Sequence, residues 1–372
     1  MMGDAKRIYQ LTRGFWQNGI ENCYVGRTFI QTSDEDIRFP PKRQIPEKNR
    51  TLNGLKAWLF RQHYNETKHC TPDWKALVSP FLDDPNYNVV YVHFLFTYPL
   101  LADRLKGRVF VIDTHNSEWG WYRSFRDSTR NLLIKQVCNF SIRRATEIMH
   151  MLPSEAIMAH VSQSDCNEYV AIRPDITHVV VPNGGDIQLR TSMPDYTVPK
   201  KKLLFFGSLH GKMSFDALKC FEDRFWPELK DVAQLVVAGA NPSSAIQAMA
   251  RRNQWELRSN LNEAQVNQVF EESHFSVMPF EYGEGSKLKF FDACVRGVPI
   301  LSTVSGACGQ QGVPCFVTIS EDPKAWKFQV LQRKSMEPNW VNEVLRFAET
   351  STWKSIVARI IPNLEERTAK AH

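Results

Sequence analysis

From Asn88 onward, short unbroken apolar runs alternate with longer stretches of mixed polarity. Val89-Val-Tyr-Val-His-Phe and Arg108-Val-Phe-Val-Ile-Asp are rich in β-branched residues, the pattern of strands buried on both faces. Ala156–Ser162 and His178-Val-Val-Val continue the series. In the second half Leu203-Leu-Phe-Phe-Gly, Leu235-Val-Val-Ala-Gly and Phe275-Ser-Val-Met-Pro each end in Gly or Pro, and Val298-Pro-Ile-Leu-Ser makes a fourth strand. Helical stretches lie between the strands near Leu132–Arg144, Phe215–Phe225, Ser243–Arg252, Glu263–Glu272 and Leu288–Arg296. This alternation predicts an α/β chain of two Rossmann-like domains, with parallel sheets facing each other across a central cleft. The break is expected in Arg190–Lys202, where Pro194, Pro199 and three consecutive lysines precede a new strand. Expected domains are 1–188 and 189–345, with 346–372 a C-terminal helix crossing back to the first.

Length supports two cores, since 372 residues exceed what one comfortably serves. Apolar residues make up 43% and charged residues 23%, which excludes a disordered chain. Apolar runs such as Val89–Val92 are strand-sized, far short of a membrane span. The opening Met-Met-Gly-Asp-Ala-Lys-Arg has no apolar region behind it, so a cytoplasmic protein is expected. Eight cysteines are scattered without a CxxC pair, as free thiols in a reducing compartment are, and indicate no zinc site. The net charge of +6 gathers in Arg38–Lys75, where nine bases meet only Glu47, Glu66 and Asp73. One basic patch does not imply a chain built around nucleic acid.

The densest chemistry lies in Pro279-Phe-Glu-Tyr-Gly-Glu-Gly-Ser-Lys-Leu-Lys-Phe-Phe-Asp-Ala-Cys-Val-Arg-Gly-Val-Pro. A strand ends, a glycine-rich turn follows, and a helix begins near Lys287. Free amides at such a turn hold phosphate oxygens, and Lys287 and Lys289 add positive charge. Glu284 and Asp292, eight apart, place one carboxylate at each end of a ligand. Read by chemistry alone this is a nucleotide-sugar site; the plainer alternative is a glycine loop with solvated charges.

The Glu284-x7-Asp292 run resembles the Glu-x7-Glu signature of glycosyltransferase family 4 and its retaining GT-B relatives. Phe205-Phe-Gly-Ser-Leu, Phe225-Trp-Pro-Glu-Leu, Val181-Pro-Asn-Gly-Gly-Asp and Ile112-Asp-Thr-His-Asn-Ser-Glu resemble other parts of that family in the same order. The resemblance implies an N-terminal acceptor domain and a C-terminal donor domain. It makes Asp292 the ribose ligand, where the family usually has Glu, and Glu284 a contact to the transferred sugar. Gly285, Ser286, Lys287, Leu288 and Lys289 would hold the diphosphate, with Gly207, Ser208 and Lys212 opposite. His115 matches the acceptor-domain histidine facing the sugar, although a lone histidine at a strand end is more often structural.

Three departures stand against the pattern. Ser208 and Ser214 occupy places where the family often has Arg and Lys, and the first helix-like segment, Gly3–Gly19, has no strand before it. The implied reaction is metal-independent transfer of a sugar from a nucleoside diphosphate to a hydroxyl acceptor, with retained anomeric configuration and no cofactor. A non-catalytic sugar- or nucleotide-binding homologue and a nucleotide-sugar epimerase are the alternatives. The acceptor is a glycan, a lipid-linked molecule or another hydroxyl compound, with nucleic acid entering only as an acceptor. Lys42, Arg43, Lys48 and Arg50 mark an expected acceptor or membrane patch. The adjoining Thr51–Tyr64 forms a helix with Leu52, Leu55 and Leu59 on one face, and its plain alternative is packing on its own sheet. Peripheral contact with an anionic membrane is thus expected of an otherwise cytoplasmic protein.

Overall fold

The computed structural model describes residues 3–25, 30–31, 37–38, 50–61, 63–70, 72–282, 286–309, 313–336 and 338–371. One compact unit comprises Gly3–Pro182 with Trp353–His372, and the other is Asn183–Thr352. The boundaries therefore fall at 182/183 and 352/353 rather than at 188/189 and 345/346. The reasons are local. Asn183 bonds to Ser286, the Gly185 amide to the Ser351 carbonyl, and buried Arg190 donates to the Ser273 and Gly297 carbonyls at 2.9 and 2.8 Å. The Trp340–Ser351 helix sinks Val344 and Phe347 into the second core.

In the first unit three two-residue strands, Tyr24–Val25 (β1), Ile30–Gln31 (β2) and Ile37–Arg38 (β3), pair antiparallel. Its main sheet is fully parallel, in the order Val89–His93 (β4), Val109–Asp113 (β5), Ile157–His160 (β6) and Thr177–Val180 (β7). The Ile-Met-Ala-His strand is buried throughout, as helix-covered parallel strands are. The Leu132–Met151 helix starts where the Asn131 carboxamide accepts from the Leu133 and Ile134 amides, and buries Ala145, Ile148 and Met149. The Gly3–Gln17 helix buries Ile8, Leu11 and Phe15. The returning Trp353–Ala358 helix packs beside it, with Asn18 donating to the Lys354 carbonyl at 2.9 Å.

The second unit is a six-stranded parallel sheet. Its strands are Lys201–Ser208 (β8), Ala233–Ala240 (β9), Glu256–Ser259 (β10), Phe275–Met278 (β11), Ile300–Ser302 (β12) and Val317–Ile319 (β13). Their spatial order is β10-β9-β8-β11-β12-β13, the doubly wound arrangement in which the chain starts centrally and reverses direction once. Leu203, Leu204 and Phe205 are wholly buried in central β8. The stretch expected as helix over Phe215–Phe225 is an α-helix, Lys212–Cys220, that widens into a π turn over Phe221–Phe225. The widened turn carries Phe221 and Phe225 into the core, where Phe225 stacks on Trp326 at 4.0 Å.

Candidate functional site

Where a doubly wound sheet reverses, the loops after its two central strands diverge and leave a crevice at their carboxyl ends. In the second unit those strands are β8 and β11. Gly207 closes β8 with φ +147°, and a side chain there would bring its Cβ to 3.0 Å from the Lys289 Nζ. Gly239, opposite it on β9, has φ +157°, and a Cβ there would lie 1.6 Å from the Gly207 carbonyl oxygen. Both positions are confined to glycine.

Lys289 belongs to the Leu288–Cys294 helix and is half-buried. Its ammonium lies over the rings of Phe280 and Phe205, at 4.5 and 4.9 Å from their centroids. Burial, and after it neighbouring Lys287, bring its pKa down to about 7, with Asp292 offsetting part of the effect. Ser286 is fixed on both sides: its hydroxyl accepts from the Asn183 amide at 3.1 Å, and its carbonyl from the Asn183 carboxamide at 2.8 Å. Lys287 is buried beside it and Leu288 opens the helix. Asp292 lies one turn from Arg296, 3.9 Å from that guanidinium. Glu284 and Gly285 lie outside the described residues.

The remaining expected donor residues behave differently. The Ser214 hydroxyl donates to the Ser208 carbonyl at 2.6 Å, so these two serines brace one turn. Lys212 is exposed and held by Asp216 at 2.6 Å, and Asp216 also accepts from the Tyr282 hydroxyl. Lys212 therefore does not join Lys289 at Gly207. In this chain the positive charge at that glycine comes from the β11 side of the crevice.

The first unit contains a separate cluster. His93 and Asp113 end β4 and β5 in register, and His115 follows with φ +55°. The His93 Nδ1, His115 Nε2 and Asp113 Oδ2 form a triangle with sides of 3.0, 3.1 and 3.3 Å. Arg7 closes the network with a bidentate pair to Asp113, at 2.8 and 3.2 Å, and also donates to the Val181 and Pro182 carbonyls. Burial raises the carboxyl pKa of Asp113, but Arg7 and the two imidazoles outweigh it and hold it well below its ordinary value. Burial lowers His93 to about 4 despite its bond to Asp113, so this imidazole is neutral near pH 7. The His115 ring stacks on Phe94 at 4.1 Å. Arg7, His93 and Asp113 were not singled out from the sequence. Asp113 and His93 carried a weak signal as polar residues ending apolar strands, and Arg7 carried none.

Two groups among the described residues are close enough to share a metal ion: His93, Asp113 and His115, and His160, Cys166 and His178. In the first, Arg7 already neutralises the carboxylate. In the second, His160 Nε2 and His178 Nδ1 hydrogen-bond directly at 2.8 Å, and burial lowers His160 to about 3. The acidic run Asp34-Glu-Asp lies outside the described residues.

A profile of the family described as Glycosyl transferases group 1 matches residues 200–333. Sucrose-phosphate synthase from Thermosynechococcus elongatus superposes with a TM-score of 0.67 at 13% identity, covering 99% of this chain and 94% of its own. WaaG, a glycosyltransferase involved in lipopolysaccharide biosynthesis, gives 0.57 at 14% identity, covering 97% and 96%. The fold is GT-B. Anabaena HepE, solved in complex with UDP, gives 0.53 at 15% identity over 78% of this chain and 82% of its own. Among curated protein sequences none matches the chain. The GT-B assignment accounts for two Rossmann-like units with parallel sheets, and the family profile falls wholly within the unit that holds the Gly207–Lys289 crevice.

Proposed function

We propose that this chain transfers a sugar from a nucleoside diphosphate to a hydroxyl acceptor, with retention of the anomeric configuration. The observation that carries the reading is the bare backbone of Gly207 facing an ammonium that pairs with no carboxylate among the described residues, at the switch point of the second sheet. A diphosphate needs that pairing: close approach to a chain without a side chain, and a positive charge at the leaving group. The family profile over residues 200–333 supports it, as does the UDP held by HepE on a similar fold.

Breaking the anomeric bond places negative charge on the departing diphosphate. Lys289, Lys287 and the amides of Ser286–Leu288 stabilise it, a contribution that grows in a site excluded from water. Asp292 accepts from ribose hydroxyls, and Glu284 contacts the hydroxyls of the transferred sugar. His115 serves the sugar from the acceptor unit, held by His93 and Asp113. Basic groups and amides take the place of a metal, and no cofactor enters.

The binding-only reading draws on Ser208 and Ser214, which bond to each other where the resemblance implies basic side chains. One experiment separates the readings. Purified protein is incubated with a panel of nucleoside diphosphate sugars, release of the diphosphate is followed, and product anomers are read by NMR. Transfer or slow hydrolysis of one donor is expected, with Glu284→Gln and His115→Ala lowering kcat more than they raise the donor KM. Tight donor binding without turnover supports the binding homologue, and an altered sugar nucleotide supports the epimerase.

A further inference from the structure

The helix predicted around Thr51–Tyr64 runs over Arg50–Leu59, and two leucines of its expected packing face, Leu55 and Leu59, are not buried. Ala57 is buried, whereas Leu55, Leu59 and Phe60 are 50%, 57% and 67% exposed. The helix lies on the Leu132–Met151 helix, where the Trp58 indole donates to the Gln136 carboxamide at 2.8 Å. One turn before Gln136, Leu132 and Leu133 are 75% and 61% exposed. Trp121, on the Glu118–Ser128 helix that packs along the same helix, is exposed as well. Single exposed leucines are ordinary, but this many large exposed apolar side chains on three helices that pack on one another are not.

Lys56, Arg61, Arg130 and Lys135 lie on these same segments, and none forms an ion pair among the described residues. These segments therefore combine aromatic and aliphatic tips with an excess of cations, Asp127 being the carboxylate near Lys135 and already paired with Arg126. A second copy of the chain would bring like charges together. An anionic bilayer offers the opposite charge to the cations and hydrocarbon to the tips.

We propose that this surface of the first unit docks on anionic lipid membranes, with Phe60, Leu59, Leu132 and Leu133 inserting at the headgroup boundary. The residues differ from those expected from the sequence: Lys42, Arg43 and Lys48 lie outside the described residues, as does the side chain of Arg50. No helix among the described residues is long and apolar enough to cross a membrane. The contact is therefore interfacial. It is independent of the sugar-transfer reading, because vesicle binding is measured without donor or acceptor.

The test is flotation of the full chain with vesicles of phosphatidylcholine alone and of phosphatidylcholine mixed equally with phosphatidylglycerol. Binding is expected only to the anionic vesicles. It should weaken between ~0.1 M and ~1 M salt, as the screening length falls from about 10 to about 3 Å. The double variant Phe60→Ser/Leu133→Ser should bind at least about tenfold more weakly. The fourfold variant Lys56→Gln/Arg61→Gln/Arg130→Gln/Lys135→Gln should lose both affinity and salt dependence. All six positions are at least partly exposed, so unchanged thermal midpoints are expected, and circular dichroism checks that both variants remain folded. Absence of vesicle binding overturns the proposal, as does equal binding to both vesicle types or wild-type binding by the folded variants. A concentration-dependent dimer dispersed by Phe60→Ser/Leu133→Ser, without lipid binding, overturns it in favour of a second copy.

Discussion

Replacing Lys289 with methionine should move donor affinity and stability in opposite directions. The ammonium lies between Phe205 and Phe280, beside Gly207, and burial with Lys287 brings its pKa to about 7. An unfolded lysine titrates near 10.4. Between about pH 7 and pH 10 the unfolded chain therefore binds more protons at this position than the folded one, and Lys289 makes stability rise with pH across that window. Methionine removes the penalty: the thermal midpoint should rise at pH 7, and this part of the pH dependence should vanish. Donor binding should suffer. A charge-assisted hydrogen bond to phosphate contributes about 1.5–3 kcal/mol, so the Kd should increase roughly ten- to hundredfold. The wild type carries a further signature. Only the protonated lysine holds the diphosphate, so a UDP-sugar, whose diphosphate does not titrate in this range, should bind about tenfold more weakly at pH 8 than at pH 6. Calorimetry in buffers of different ionisation enthalpy should show proton uptake on binding at pH 8. A pH-independent Kd in the wild type, or unchanged affinity in Lys289→Met, would refute the reasoning.

Asp292→Ala should raise the donor Kd about ten- to hundredfold by calorimetry with little change in thermal midpoint, because the carboxylate is proposed to accept from ribose. Arg7→Leu leaves Asp113 charged, buried and unpaired by its guanidinium, and should lower stability by about 3–5 kcal/mol in urea titrations. The wild type should lose the stability of that pair only as pH falls below about 4, through the depressed carboxyl value, and the variant, left with the two imidazoles alone beside Asp113, should show a smaller acid-dependent loss. Transfer or donor hydrolysis should survive EDTA, and a restoration of lost activity by Mn²⁺ or Mg²⁺ would contradict a site built on lysines and amides.

Strands with three or more consecutive apolar residues were legible in the chain, because burial on both faces leaves no room for a polar position. Glu256–Ser259 and Val317–Ile319 were not. They sit at the two edges of the second sheet, where one side of the strand has no partner and polar residues are tolerated. The glycine loop with Lys287, Lys289 and Asp292 could be read locally, since its residues are adjacent. That Lys289 and not Lys212 reaches Gly207 could not, because the choice depends on Phe205 and Phe280 as a floor and on Asp216 as a competitor. The Arg7–Asp113 pair spans 106 positions, and nothing near either residue announces the other. The boundary near Pro182 was hidden for a similar reason: the prolines at 194 and 199 mark a turn within the second unit, while Asn183 ties the preceding stretch to Ser286.

The return of Trp353–His372 to the first unit has a consequence for biosynthesis. The second unit is continuous in the chain, so it can complete its core as soon as Thr352 has left the ribosome. The first unit is interrupted. After Pro182 is made, translation at about 5–20 residues per second takes on the order of 10–30 s to deliver the segment that packs against the Gly3–Gln17 helix. During that interval the N-terminal helix waits with an uncovered face. The half of the protein synthesised first is thus the half that matures last.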